Sequence, residues 1–135
     1  MASSVADLWE TIAGEAEQES PLWGAALRPE SERDRRQVFS LLGEPRFALG
    51  LETIYEGYLV HHAESRLFAP ADRNQAILLG DYLYAAGLVD VCRAGELRAV
   101  ATLAELIATV SDRRSRGLED DGAAWERAVA ELAPA

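Results

Sequence analysis

The side chains able to do chemistry gather in the middle of the chain: His61, His62 and Glu64 in quick succession, then Asp72 and Asp81. Imidazole with carboxylate is a donor set suited to zinc or iron. The spacing argues against such a centre, because adjacent histidines on a helix project about 100° apart and neither an H-x-x-x-H nor an E-x-x-H pair is present. One of the two histidines is instead expected to be a half-buried helix-end residue making a single hydrogen bond. Asp81 follows Gly80 inside an apolar run, where a carboxylate is costly unless paired. A bond to a neighbouring helix or to Arg28 would satisfy it. Cys92, the one cysteine, has no cation or base beside it and reads as a small core residue, not a nucleophile. Tyr55, Tyr58, Tyr82 and Tyr84 read as core or interface. Arg113, Arg114 and Arg116 precede Glu119, Asp120 and Asp121 and read as a solvated helix end whose cations suit the dipole there, with phosphate binding as the sharper alternative.

The elements that must position these residues are helices. No run alternates with period two, and Ala, Leu, Glu and Arg dominate, so the fold class is all-α, an antiparallel bundle of five or six helices. A first helix starts after Ser4, with Asp7 three residues on completing the cap, and carries Val5, Leu8, Trp9 and Ile12 on one face. Ser20 to Pro29, with two prolines and a glycine, is an ordered connector or a short helical turn between breakers. A second helix is expected over 30–42, stopped by Gly43. The third starts at Pro45 and sets Leu51, Ile54, Tyr55, Tyr58, Leu59 and His62 on one face. The fourth, about 72–93, is apolar almost all round and must be central or shared with a partner chain. Its Gly80 and Gly87 would let a neighbouring helix approach closely. A fifth begins at Glu96 with Leu97, Val100, Leu103, Ile107 and Val110, and a sixth, about 121–132, holds Trp125 and Val129.

At 135 residues the chain suits one domain, 1–135, able to bury roughly 65–70% of its unfolded surface. It carries 23 acidic and 13 basic residues, every basic one an arginine, for a net charge of −10. That balance argues against nucleic acid, whose phosphates need clustered cations. The polar, acidic start does not resemble a secretory signal, so a reducing cytoplasm is the expected location. The apolar runs are broken by Asp81, Asp90 and Glu105, so no membrane span of about 20 residues is expected.

Three segments, in order, resemble the N-terminal half of the trans-isoprenyl diphosphate synthases, the all-α family that condenses allylic and homoallylic diphosphates. Gly24-Ala-Ala-Leu-Arg-Pro29 is similar to the family's G-K-R-L-R-P motif. Leu59-Val-His-His-Ala-Glu-Ser-Arg66 resembles its L-V-H-D-D-x-x-D stretch, and Leu78-Leu-Gly-Asp-Tyr-Leu-Tyr-Ala85 its L-L-G-D-Y-L-x-A helix. The likeness covers about 23–116, and the family's second half has no counterpart in these residues.

The departures carry the functional expectation. In the family the Lys and first Arg of the first motif hold a diphosphate, as cations suit phosphate oxygens. Ala25 and Ala26 stand there, leaving Arg28. The aspartates of the second motif exist because Mg²⁺ needs carboxylate oxygens to bridge it to substrate phosphates. Their positions hold His62, Ala63 and Arg66. The resemblance therefore implies half of the isoprenoid synthase fold with its magnesium site lost and no cofactor. It leaves a degenerate substrate-binding set of Arg28, His61, His62, Glu64 and Asp81, with no catalytic residue. The expected role is a non-catalytic protein that self-associates or serves a catalytic prenyl synthase as an accessory subunit. The alternatives are residual prenyl-diphosphate chemistry with a non-magnesium metal at His62, Glu64 and Asp81, or a small bundle binding an isoprenoid or lipid, its tyrosines lining the tail channel.

Overall fold

The computed structural model describes residues 5–40 and 44–132, and in them the chain is all-α. Six helices follow one another: α1 (Val5–Glu19), α2 (Pro21–Ala26), α3 (Ala48–His62), α4 (Arg73–Arg93), α5 (Leu97–Ser115) and α6 (Gly122–Glu131). Among the described residues there is no strand, only an isolated antiparallel bridge between Leu27 and Phe68. The expected cap at Ser4 and stop at Gly43 lie outside the described residues.

Local chemistry explains most boundaries. Ser20 caps α2, its hydroxyl accepting from the Leu22 N–H, with Pro21 at the first helical position. Asp72 does the same for α4, accepting from the Gln75 N–H at 2.8 Å. Gly95, at φ +90°, lets the chain leave the end of α4 in a left-handed turn. Pro45–Phe47 forms a 3₁₀ turn that leads into α3.

The second expected helix does not form over 30–40, the part of it that is described. Glu30–Glu32 makes one 3₁₀ turn and residues 33–37 run without helical bonds. The reason is tertiary: this strap bonds to side chains from elsewhere, its Val38 and Ser40 N–H groups donating to Glu52 and its Arg36 carbonyl accepting from Arg66. Those bonds replace the helical ladder that its charged first half would otherwise need.

The central helix is α3, not α4. Gly50 to Ile54, Glu56 to Tyr58 and Val60 are all buried, the carboxylates of Glu52 and Glu56 among them. Two apolar clusters meet on it. In one, Leu51, Ile54 and Tyr58 pack with Leu103 and Val110 of α5 and Trp125 of α6. In the other, Val60 packs with Trp9 and Ile12 of α1, Trp23 of α2 and Leu79 and Leu83 of α4. By contrast α4 keeps Ile77, Leu78 and Val89 exposed, and Cys92 is exposed rather than in the core. With 21 residues α4 is long and apolar enough, by length and composition alone, to cross a membrane, which the interrupting aspartates had argued against. On α5 the buried stripe is Ala99, Leu103, Leu106 and Val110, rotated from the expected face so that Leu97 is left 78% exposed.

Close contact between α3 and α4 depends on two glycine pairs. A Cβ on Gly87 would meet the Gly50 carbonyl oxygen at 2.9 Å, and one on Gly57 would meet that of Gly80 at 3.0 Å. The pairs sit seven residues apart on each antiparallel helix, so the seam recurs every two turns. Gly87→Ala should therefore lower stability by about 1–3 kcal/mol through overpacking. Gly14→Ala, on the open side of α1, should raise it by about 0.5–1 kcal/mol through helix propensity. Urea denaturation followed by circular dichroism checks both signs.

Candidate functional site

The site region is built where α3 ends, the chain turns through residues 63–71 and α4 begins. Leu27 and Arg28 join it through the isolated bridge: the Arg28 N–H donates to the Leu67 carbonyl at 2.8 Å and the Ala69 N–H to the Ala26 carbonyl at 2.7 Å. The first two motif-like segments thus lie side by side. Leu67 and Phe68 anchor the turn from beneath, both fully buried.

The centre of the region is Arg66, the last residue of the segment Leu59 to Arg66. Its guanidinium does not face solvent; it is folded inward between two carboxylates on successive turns of α3. Nη1 lies 2.6 Å from Glu52 and Nε 2.7 Å from Glu56. Glu56 also accepts from the Arg66 N–H and from the Ser65 hydroxyl, while the second oxygen of Glu52 takes the strap's Val38 and Ser40 N–H groups. Arg66 further donates to the Arg36 carbonyl and stacks over the Trp9 ring, 4.5 Å from its centroid. All three ionic groups are at least nine-tenths buried, so each needs the others to offset its desolvation.

The expected site residues divide around this cluster. Arg28 donates through Nε to the Ser65 carbonyl at 3.1 Å and reaches Glu64 at 3.8 Å; Glu64 is otherwise 87% exposed. Asp81 does find a partner on the neighbouring helix, which is His61 of α3 at 3.0 Å, not Arg28. The His61 ring is packed against Gly80 and stacked on Tyr84. His62, one residue on, points elsewhere, tilted against the Tyr58 ring. Burial first, then the charge of Arg114, push its pKa below the ordinary histidine range, so it stays neutral to lower pH. His61, His62, Asp72, Arg73 and Ile77 line an open cleft of about 390 Å³.

The structure does not bring His62, Glu64 and Asp81 together as one donor set. Asp81 is committed to His61, Glu64 turns towards Arg28, and among the described residues no group of three His, Cys, Asp or Glu is placed to hold an ion. The tyrosines do not form a channel wall together either: Tyr55 and Tyr58 interleave with Phe39 and Trp125 in the α3–α6 core, while Tyr82 sits on the α1 side.

Arg113 and Arg114 are not a merely solvated helix end. They clamp the buried carboxylate of Asp121 at 3.1 and 2.8 Å, and the Tyr58 hydroxyl donates to the same group at 2.8 Å. Burial alone would raise the Asp121 pKa, but the bonds from Tyr58, Arg114 and Arg113 outweigh it and hold the carboxyl below its ordinary range. Arg116, by contrast, stays exposed beside Asp112.

Sequence reasoning missed Glu52, Glu56 and Asp121. The available signal was weak but physical: two glutamates at i, i+4 inside a helix otherwise rich in apolar and small residues, with an arginine 10 residues beyond the second. No family model, no curated protein and no solved structure matches the chain.

Two outcomes test the geometry. Arg66→Met should cost about 3–5 kcal/mol, because it leaves two buried carboxylates uncompensated, whereas adding Glu52→Gln and Glu56→Gln should recover much of that loss. Denaturant titration of the single and triple variants measures the difference. For Asp121, the depressed carboxyl contributes stability that is fully present above the unfolded value of about 3.9 and is lost as pH falls through the folded one. Asp121→Asn should thus be clearly less stable than the parent at pH 7, with the gap closing below about pH 4.

Proposed function

We propose that the chain is a non-catalytic, isoprenoid-synthase-like helical protein that acts by binding another polypeptide, a second copy or a catalytic prenyl synthase. The reading rests on Arg66. At the place where a magnesium-binding aspartate would project towards substrate, this side chain is turned into the core and bonded to Glu52 and Glu56. A residue needed for internal charge balance is not free to exchange partners with a diphosphate during turnover. Arg28, the remaining candidate for a phosphate contact, is tied to the Ser65 carbonyl in the same turn.

Ala25 and Ala26 are consistent with this, since neither offers a donor to a phosphate oxygen. The exposed Ile77, Leu78 and Val89 on α4 supply apolar surface of the kind that marks protein contacts. The test is direct: the purified chain is incubated with isopentenyl and allylic diphosphates and Mg²⁺, Mn²⁺ or Zn²⁺. No condensation product is expected, and turnover with any of these ions would overturn the reading.

A further inference from the structure

The helices α1 and α4 both pack on α3 and leave an open groove of about 330 Å³ between them. Along α4 it is lined by Tyr82, Ala86 and Val89, at i, i+4 and i+7, and Leu78, one turn before Tyr82, continues that face beyond the groove. Leu78 is 59% and Val89 48% exposed, at the two ends of a stripe about 16 Å long. The rim is acidic. Glu15 and Glu19 descend from α1, and Asp90 faces them from α4.

Asp90 is the unusual member. Its side chain is 11% exposed, and its only ion pair among the described residues is a long contact of 3.7 Å from Arg93, itself 74% exposed. The second carboxylate oxygen is buried and has no hydrogen-bond partner among the described residues. Burial, followed by the charge of Glu15, raises its pKa. Three carboxylates against one loosely held guanidinium leave the groove with unmatched negative charge beside exposed aliphatic groups.

We propose that the α1–α4 groove docks an amphipathic helix of a partner protein, its apolar side chains on Leu78, Tyr82 and Val89 and a flanking arginine or lysine between Glu15, Glu19 and Asp90. This deepens the partner-binding reading and rests on it. Charge complementarity selects the occupant: a second copy would bring its own Glu15, Glu19 and Asp90 to the same face and carry the same net charge of −10. A helix laid in such a groove is read by apolar anchors at i, i+3/i+4 and i+7 spacing.

The probe is a synthetic helix of about 18 residues, long enough to span the stripe. It carries leucines at i, i+4, i+7 and i+11 flanked by arginines, and is titrated into the full chain by isothermal calorimetry. A scrambled peptide of identical composition controls for charge alone. Binding of the patterned peptide is expected, weakened roughly tenfold or more by Glu15→Gln with Glu19→Gln and likewise by Val89→Ser. Glu30→Gln with Glu32→Gln removes the same charge from a remote exposed turn and should change little. Circular dichroism of each variant verifies that it folds.

Failure of the patterned peptide to bind, equal binding of the scrambled peptide, or indifference to the groove variants would each overturn the proposal. So would a homodimer by light scattering that Val89→Ser dissociates, which would give the face to a second copy. None of these outcomes produces prenyl transfer, so a failed groove leaves the non-catalytic reading standing, and turnover in the diphosphate assay would remove that reading independently.

Discussion

One buried guanidinium holds the N-terminal half of this molecule together. Arg66 neutralises Glu52 and Glu56 on the central helix, lies over Trp9 of α1 and binds the Arg36 carbonyl of the strap. Two carboxylates on adjacent turns of a buried helix would repel each other and lose their hydration; the arginine between them offsets both costs. Because the same carboxylates also accept backbone N–H groups at Val38, Ser40 and Arg66, the charge cluster doubles as the hydrogen-bonding partner of two irregular segments. A segment that would expose its backbone polar groups as coil is thereby bonded without becoming a helix.

The glycine seam between α3 and α4 is the second constraint and works with the first. Gly50 against Gly87 and Gly57 against Gly80 bring the two backbones into contact. That closeness presses the His61 ring onto Gly80 and sets it beside Asp81 and Tyr84. The imidazole is therefore positioned by packing and paired across helices, which is a structural use of a residue type that usually attracts a catalytic reading. A similar economy governs the far end, where Asp121 ties the last turn of α5 to the start of α6 and to Tyr58 of the central helix.

Residues that share local signals were legible. The ends of α4, α5 and α6 agree with the sequence reading to within one or two residues, because Asp72, Gly95 and the apolar periodicity act within a few residues of where they stand. The helix expected at 30–42 failed for the complementary reason: its backbone partners, Glu52 and Arg66, are contributed from 12 to 30 residues away. The burial of two glutamates in α3 has the same origin. Glutamates are ordinarily solvated, yet pairing with Arg66 buries Glu52 and Glu56, while Ile77, Leu78 and Val89 stay exposed on a helix whose apolar circumference leaves a central and a partner-shared placement both open. Of the candidate site, the chain order brought His61, His62 and Glu64 together, but which of them met Asp81 or Arg28 depended on side-chain direction across a helix pair.

By itself the sequence determined the helical class, most helix ends, the room for a neighbouring helix to approach closely at Gly80 and Gly87, and which residue types stand at 25–28 and 61–66. These follow from composition, periodicity and residue identity, which act locally. Only the tertiary structure decided that Arg66 faces inward, that Arg28 serves the Ser65 carbonyl, that Asp81 pairs with His61, and that an apolar, acid-rimmed groove stays open between α1 and α4. A charged side chain reads the same in sequence whether it faces water or a buried partner. The difference lies in desolvation and pairing, which exist only once distant parts of the chain have been packed against one another.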